Sequence, residues 1–400
     1  MLQDRLVRLR AALTVLGVAA LIGAAPAKPT GPPVVVNASI PLTGPGAFLG
    51  KSLVDAFHAI EIVVNGDGGI HGRPLKIVAA DSQTSPAINL QIVQGLIAQQ
   101  SPLFLDGGPS PVCNAVLPIV AKSGPVDYCL SPAINTTPFG FVFSASAPSP
   151  DVQRVAVRYF RLRGWKRVAM LSSTDASGVA LEAQALAALA LPENRDVQLV
   201  AQERFAPTDV SAAAQVARIE AAKPDAIFVW ATGTPVATAF RALNDAGNTL
   251  PVQVPSSNMV YSQLASYAAF LPKQLYFATL LALTPDAVSP GPVHDAQTAY
   301  QKAFKAIGVR PDAATNLAWD PLMIFVDALR HLGPNPTADQ VRDYITHLHG
   351  WVGAKGVFDF GGGDQHGISE NAVDIAQWNA ASGTWKSVSR PHGFLRAPTR

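Results

Sequence analysis

The 400-residue chain carries 30 Lys and Arg against 28 Asp and Glu, and 48% of its residues are hydrophobic. This near-neutral balance excludes the basic field on which binding to nucleic acid or to an anionic membrane depends. A chain of this length exceeds what one hydrophobic core usually holds, so two lobes are expected.

The N-terminus has the pattern of an export signal. Three arginines precede an apolar segment at residues 11–22, and small side chains at Ala25 and Ala27 suit a leader peptidase. We expect a signal peptide, residues 1–27, that is cleaved after Ala27. An apolar segment of about twelve residues is too short to cross a bilayer core of about 30 Å, although an uncleaved anchor is the alternative. Cleavage removes three Arg and one Asp and leaves 27 basic and 27 acidic residues.

Strand-like and helix-like segments alternate along the chain that follows. The apolar run at 34–36 leads into "IPLTGPGAFLG", and then apolar residues recur every three or four positions from Leu53 to Val64. Further strands are predicted at 75–80, 103–105, 126–130, 168–172, 197–202, 226–230 and 252–254. Repeated βαβ units predict an α/β protein with parallel sheets that are covered by helices on both faces.

The second half repeats this pattern and then departs from it. "GWKRVAML" restarts the strand–helix alternation after the loop "SASAPSPD", which we interpret as the crossing into a second lobe. Two long helices are predicted at 293–307 and 313–332, and a shorter one at 338–347. "AVDIAQW" and "TWKSV" predict an antiparallel hairpin around "NAASG".

No motif for catalysis or metal binding is convincing. "GPGAFLG" differs in spacing from the dinucleotide-binding G-x-G-x-x-G, and no G-x-S-x-G motif supports hydrolysis. "GGGDQHG" has no helix pattern after it and favours a turn. "HLHG" and the pair Asp364 and His366 offer two ligands each without a third, so we expect no metal and no cofactor. The sequence therefore favours a binding protein over an enzyme.

Several stretches resemble the periplasmic binding proteins of ABC importers, in the branched-chain amino-acid (Leu/Ile/Val-type) family. They are "VVVNASIPLTGPGAFLGKSLVDAFHAIEIVVNGDGGIHGRPLKIVAADSQTSPAINL", "LSPAINTTPFGFVFSASAPS" and "ARIEAAKPDAIFVWATGTPVATAFRALNDAG". Their order and spacing extend the resemblance over residues 34–388. It implies a type I periplasmic binding protein fold, in which two doubly wound parallel-sheet lobes are joined by a three-crossing hinge.

The resemblance also implies where the lobes divide. The N-terminal lobe would comprise residues 34–148 and 282–352, and the C-terminal lobe residues 149–281 and 353–389. Turn-rich stretches at 147–150, 281–285 and 351–357 would be the three crossings. Ligands of open α/β sheets bind beyond the carboxyl ends of the strands, so a cleft between the lobes would hold the ligand.

Carried over position by position, the family's contacts fall on particular residues of the first lobe. Ser110 in "LFLDGGPSPVCN" would hold a ligand carboxylate together with nearby N–H groups. Ala133 and Asn135 in "CLSPAIN" would add a carbonyl oxygen and a side-chain donor, and Phe48 and Leu49 would cover the ligand. Helix capping is the alternative role for Ser110 and Asn135, and core packing is the alternative for Phe48.

The second lobe departs from the family pattern. Ser177 replaces the family's aromatic wall, and Ser256 or Ser257 replaces the acidic residue that binds the ammonium group of an amino acid. Asp175 could replace that acid, although a solvated helix cap is its ordinary role. Two ligand classes therefore stay open: an apolar amino acid, and an aliphatic or aromatic carboxylic acid without an ammonium group.

The two cysteines suggest a covalent link near the site. Cys113 follows a helix start and Cys129 ends the next strand, so both fall at the same edge of the sheet. In an oxidising compartment this pair would form a disulfide, and two buried free thiols are the alternative.

The resemblance implies a monomeric receptor in the periplasm that delivers a small carboxylate to an inner-membrane ABC permease. A sensing module of the same fold, which signals to a membrane partner, is the alternative.

Overall fold

The computed structural model describes residues 27–131, 134 and 136–396, so the predicted leader lies outside the described residues except for Ala27. The described strands are β1 (Val34–Ile40), β2 (Leu75–Asp81), β3 (Leu103–Asp106), β4 (Val126–Cys129), β5 (Val142–Ser144), β6 (Arg167–Ser173), β7 (Gln198–Phe205), β8 (Ala226–Trp230), β9 (Val252–Pro255), β10 (Leu275–Leu280), β11 (His349–Gly353), β12 (Gly356–Asp359), β13 (Val373–Asn379), β14 (Thr384–Ser387), β15 (Ser389–Arg390) and β16 (Phe394–Leu395). The described α-helices are α1 (Ala47–Gly66), α2 (Pro86–Ala98), α3 (Ser110–Val120), α4 (Ser149–Leu162), α5 (Ala176–Leu189), α6 (Ala213–Ala221), α7 (Thr234–Asp245), α8 (Tyr261–Ser266), α9 (Pro292–Ala306), α10 (Ala313–Leu332) and α11 (Ala338–Thr346).

These strands form two main sheets, as the alternating pattern predicts. The first has the order β2-β1-β3-β4-β5 and is parallel throughout. The second has the order β14-β13-β10-β9-β8-β6-β7. Its strands β6 to β10 are parallel, while β13 and β14 add an antiparallel edge. The predicted hairpin around "NAASG" is therefore confirmed as β13 and β14.

The helices form where the apolar period and the capping residues place them. In α1, Leu53, Phe57, Ile60 and Val64 are buried against the first sheet, at the three- and four-residue steps of one helix face. A capping box closes the start of α10, because Asp312 accepts from the Thr315 N–H and Thr315 accepts from the Asp312 N–H. Within the described residues, no helix is both long and apolar enough to cross a membrane.

A buried lysine and a buried aspartate lie beside the first crossing between the sheets. The ammonium group of Lys355 is fully buried and donates to the carbonyl oxygen of Ala145 over 2.8 Å, in the crossing that follows β5. The carboxylate of Asp320 accepts from the N–H groups of Ala354 and Lys355, both over 2.9 Å. Burial lowers the pKa of Lys355 to about 8, while the Asp320 charge opposes the shift.

Two further buried side chains form hydrogen bonds to the first two crossings. The amide of Gln297 donates to the carbonyl oxygens of Leu281, just after β10, and Ala354, over 2.9 and 3.1 Å. The ring Nδ1 of His366 donates to the carbonyl oxygen of Ser146 over 2.7 Å. Each of the first two crossings is thus held by a hydrogen bond from a buried side chain elsewhere in the chain.

The predicted third crossing, at 351–357, instead forms the antiparallel hairpin of β11 and β12. The chain then stays with the first sheet: the N–H of Ser144 donates to the carbonyl oxygen of Gln365 over 2.9 Å, and the Gln365 amide donates to Val142 over 3.1 Å. We therefore propose that the lobe assignment changes at 369–372, not at 353. From sequence alone, a strand pair this short and this rich in glycine cannot be distinguished from a loop.

Asp374 is a buried acid at the start of β13, in the second sheet. Burial raises its pKa to about 8, and the nearby charge of Asp286 adds to the shift. The folded protein therefore keeps a proton that the unfolded chain, with an Asp pKa near 3.8, has lost. The contribution of Asp374 to stability is full below about pH 4 and falls as the pH rises to about 8.

We expect Asp374→Asn to remove this part of the pH dependence, because a neutral amide has no proton to lose. The melting temperature at about pH 8 should rise by about 2 °C or more relative to the unmodified protein, with a smaller difference at about pH 4. Scanning fluorimetry across this range measures both values. Asp245→Asn, an exposed change of equal charge at the end of α7, is the control. Equal shifts at both pH values would contradict the assignment.

Candidate functional site

The predicted contact residues that the structure describes lie near the carboxyl ends of parallel strands. β1 is followed by α1, β3 by α3, β6 by α5 and β8 by α7, while β9 leads into the 3-10 helix Ser256–Asn258. Because parallel strands end at one edge of their sheet, these helix starts gather at one edge in each lobe. Both edges carry hydroxyl side chains and the backbone N–H groups of helix starts.

Ser110 is the first residue of α3, and it does not cap its helix. The N-cap position is Pro109, and no side chain bonds to the first turn. The Oγ of Ser110 lies instead 2.6 Å from Oγ of Ser131, a residue that is 5% exposed just beyond β4. We call Ser110 and Ser131 the hydroxyl pair. Helix capping, the alternative role predicted for Ser110, is therefore wrong.

Ala133 and Asn135 lie outside the described residues, so their predicted roles stay predictions. Ile134 between them is 7% exposed and packs in an apolar cluster with Cys113, Cys129 and Val142.

A buried polar network supports the loop before α3. Asp106 ends β3 and is fully buried, and its carboxylate accepts from the Asn89 amide over 2.9 Å and from the Gly108 N–H over 3.3 Å. Asn89 in turn accepts from the hydroxyl of Ser39 over 2.6 Å. Burial raises the pKa of Asp106 to about 6, although both hydrogen bonds favour the charged form. This network fixes the backbone from which Ser110 projects.

The two cysteines are bonded in the structure. Cys113, in the first turn of α3, forms a disulfide with Cys129, the last residue of β4, and their Cα atoms lie 6.2 Å apart. This separation is within the range that a disulfide requires. The bond joins the helix that carries Ser110 to the strand that leads into Ser131.

The loop after β1 brings Phe48 to the second lobe. Asp81 holds this loop, since its carboxylate accepts from the Thr43 hydroxyl over 2.6 Å, and this bond lowers the pKa of Asp81. Phe48 is half-buried, and a Cβ added to Gly233 in the second lobe would lie 3.5 Å from its ring. Leu49 packs against the main apolar cluster instead. The structure thus places Phe48, but not Leu49, between the lobes.

A cavity of about 260 Å³ adjoins Phe48. Its other lining residues all come from the second lobe: Gly233, Thr234, Ser262, Gln263, Ser266 and Tyr267. An aromatic ring from one lobe therefore closes a mainly polar depression in the other.

Asn258 joins the loop after β8, which contributes Gly233 to this cavity, to the segment after β9. It is fully buried, and its Oδ1 accepts from the N–H of Gly233 over 3.2 Å while its Nδ2 donates to the carbonyl oxygen of Ala231 over 2.9 Å. Beside it, Oγ1 of Thr232 lies 3.1 Å from Oγ of Ser257. Ser257 and the neighbouring Ser256 are half-buried at this edge.

Asp175 caps α5, as its alternative role predicts. Its Oδ1 accepts from the Gly178 N–H over 2.9 Å, and its Oδ2 accepts from the Ser173 hydroxyl over 2.6 Å. Ser177 lies half-buried in the first turn of the same helix. Each Asp175 oxygen already has a donor, so an ammonium group would have to share this carboxylate with the helix start.

Three residues of these edges were not in the predicted set: Ser131, Thr232 and Asn258. Ser131 and Thr232 each lie two residues past a buried strand, and this position could have identified them. Asn258 acts through contacts across loops, for which the sequence has no local signal. Among the residues described, no group of three or more His, Cys, Asp or Glu side chains could hold a metal ion.

A family model described as periplasmic binding protein matches residues 33–384. The chain belongs to the periplasmic binding protein family. This result confirms the resemblance that the sequence motifs indicated.

Solved structures of periplasmic binding proteins and receptors share the fold. The leucine binding protein LivK from Thermotoga maritima has a TM-score of 0.73 at 17% identity, over 88% of this chain and 97% of LivK. An extracellular ligand-binding receptor from Rhodopseudomonas palustris HaA2 has a TM-score of 0.75 at 20% identity, over 89% of this chain and 100% of the receptor. These similarities confirm the predicted type I architecture, and at such identities they bear on the fold alone.

A curated relative matches a shorter stretch. The chemotactic signal transduction system substrate-binding protein BasB of Halobacterium salinarum is 34% identical over 110 residues. This stretch is 27% of the present chain and 26% of BasB, so the chain aligns with about a quarter of that relative's length.

We expect the exported protein to contain the Cys113–Cys129 disulfide and no free thiol. Intact mass after alkylation without reductant should show no adduct, and alkylation after reduction and unfolding should show two. Closing a loop with a sequence separation of 16 should also make reduction cost about 3 kcal/mol of stability. The Cys113→Ser/Cys129→Ser variant is the control. Two adducts without reductant would show that the pair is free.

Proposed function

We propose that this periplasmic binding protein is a non-catalytic, monomeric solute receptor that closes its two lobes on a small carboxylate and passes it to an inner-membrane ABC permease. The ligand class is an apolar amino acid or a related aliphatic or aromatic carboxylic acid. The family supports the receptor role, and the predicted leader supports a periplasmic location.

The single observation that carries the carboxylate assignment is the Ser110 hydroxyl. It stands at the start of an eleven-residue helix, at the ligand edge of the first sheet, and is not used for capping. The N-terminus of a helix favours a negative charge, and a hydroxyl is a good donor to a carboxylate oxygen.

Few other donors are left in this helix start. Pro109 and Pro111 have no N–H, and the N–H groups of Val112 and Cys113 both donate to the carbonyl oxygen of Pro109. The hydroxyl and the N–H of Ser110 therefore remain for a ligand. The family resemblance implies that several neighbouring N–H groups bind the carboxylate. We now assign this contact to Ser110 alone, through its hydroxyl and its N–H.

The second lobe supports a ligand with little positive charge. Its edge offers the hydroxyls of Thr232, Ser256 and Ser257, whereas the Asp175 carboxylate is engaged at the start of α5. An ammonium group in a closed cleft needs an anionic partner to offset its desolvation. A carboxylic acid without an ammonium group fits this edge better than an amino acid does.

The match to BasB favours one second candidate, a chemotactic or other sensing role for the same ligand-binding event. Neighbouring permease and ATPase genes would support uptake, and a neighbouring histidine kinase or chemoreceptor gene would support sensing.

We expect Ser110→Ala to weaken carboxylate binding by about ten- to a hundredfold, because a hydrogen bond to a charged group contributes about 1.5–3 kcal/mol. A thermal-shift screen with L-leucine, L-valine, 4-methylpentanoate and benzoate first selects a ligand, and calorimetry then measures its affinity. The primary amide of that ligand should bind the variant and the unmodified protein about equally.

Thr337→Ala is the matched control for Ser110→Ala. It removes the hydroxyl that caps α11, at the opposite end of the first sheet, and should leave the affinity unchanged. If Ser110→Ala binds the acid as tightly as the unmodified protein, the carboxylate lies elsewhere. If none of the four compounds binds, the proposed ligand class is wrong.

We also expect the lobes to close on the selected ligand, since hinge closure brings two binding edges together. Small-angle scattering at saturation should show a smaller radius of gyration than without ligand. Ser110→Ala at the same ligand concentration should stay close to the unliganded profile. An unchanged profile of the saturated protein would contradict closure.

A further inference from the structure

The backbone N–H and the backbone carbonyl of Ser131 are both hydrogen-bonded, and the Ser131 hydroxyl faces Ser110. Its N–H donates to Sγ of Cys129 over 3.3 Å, and its carbonyl oxygen accepts from the Ser144 hydroxyl over 3.3 Å. The side chain is 5% exposed, and its Oγ lies 2.6 Å from Oγ of Ser110. Ser110 is therefore the hydrogen-bond partner of this buried hydroxyl at the edge of the cleft.

The chemistry of two facing hydroxyls fixes the direction of the bond when a carboxylate binds. Each serine has one proton to donate and can accept through its oxygen. An ionised carboxylate only accepts, so Ser110 must donate its proton to the ligand. The short contact between the two serines then persists only if Ser131 is the donor to Ser110.

We propose that Ser131 is a positioning residue of the carboxylate site, which donates its proton to Oγ of Ser110 and so directs the Ser110 proton towards the ligand. This inference rests on the proposed function, in which Ser110 binds the carboxylate. In the resulting chain, each hydrogen bond polarises the next and strengthens it.

The disulfide holds the two members of the hydroxyl pair together. Cys113 lies three residues after Ser110 in α3, and Cys129 lies two residues before Ser131. A covalent link between these segments keeps both hydroxyls in place before a ligand arrives, which reduces the ordering cost of binding.

The chain also gives the site a preference for acceptor groups. A carboxylate can bind only when Ser131 donates to Ser110 and Ser110 donates to the ligand. A primary amide that presents its NH₂ group can instead donate to Ser110, so that Ser110 donates to Ser131. Removal of the Ser131 hydroxyl should therefore weaken binding of an acid more than binding of the corresponding amide.

A double-mutant cycle tests this inference, with the acid selected in the thermal-shift screen and its primary amide as probes. Calorimetry compares the unmodified protein, Ser131→Ala, Ser110→Ala and the double variant. We expect Ser131→Ala to weaken acid binding by about two- to tenfold, the range of a neutral hydrogen bond. In the Ser110→Ala background, the further effect should be less than about twofold, because the hydroxyl that Ser131 directs is gone.

The outcomes separate the inference from the proposed function. If Ser110→Ala weakens acid binding and Ser131→Ala does not, the positioning role is wrong and the carboxylate site stands. If Ser131→Ala weakens the acid and the amide equally, or keeps its full effect in the Ser110→Ala background, Ser131 acts by general packing or by its own ligand contact, and the inference is overturned. If Ser110→Ala has no effect, the proposed carboxylate site is wrong and the inference falls with it.

Discussion

The buried ammonium group of Lys355 donates to the carbonyl oxygen of Ala145 in one crossing, and Gln297 donates to Leu281 in another. Burial of this charge is costly, and the nearby Asp320 charge and the carbonyl oxygens of Ala145 and Leu317 offset part of the cost. The crossings are thereby anchored to the helices of the first lobe. In the proposed function, each lobe contributes one edge of the ligand site, and these connections would hold the two edges opposite each other. Binding would then depend on contacts that no ligand touches.

Each edge has its polar groups organised before a ligand is bound. In the first lobe, the Asp106–Asn89 network and the disulfide fix the hydroxyl pair. In the second lobe, Asn258 joins two loops through bonds to Ala231 and Gly233. Buried networks of this kind specify one arrangement when their members are satisfied. In the closure that we propose, rigid edges would confine the conformational change to the crossings and leave the hydrogen-bond donors in place.

The sequence was sufficient for features that depend on local chemistry. The bounds of α10 follow from its capping residue Asp312 and its final Gly333, and its predicted and observed ranges agree. The position of Ser110 followed from the family motif. The Ser131 contact could not be predicted in the same way, because its partner is 21 positions away and only the pairing of β3 with β4 brings them together. The change of lobe that we propose at 369–372 depends on a similar contact, because the bond from the Ser144 N–H to the carbonyl oxygen of Gln365 is long-range.

Under the proposed function, the choice between an amino acid and an acid without an ammonium group depends on the charged groups of the second lobe. For a zwitterion, the closed cleft would desolvate an ammonium group beside Thr232 and Ser257, which are neutral. Asp175 could compensate only by sharing a carboxylate that already accepts from Gly178 and Ser173 as the cap of α5. Under the proposed function, a carboxylic acid without an ammonium group needs no such partner, and its apolar part would lie against Phe48. Of the expected departures from the family pattern, the one at Ser256 or Ser257 removes the acid that an ammonium group would need, and the one at Ser177 removes an aromatic wall; the first of these favours a ligand without an ammonium group.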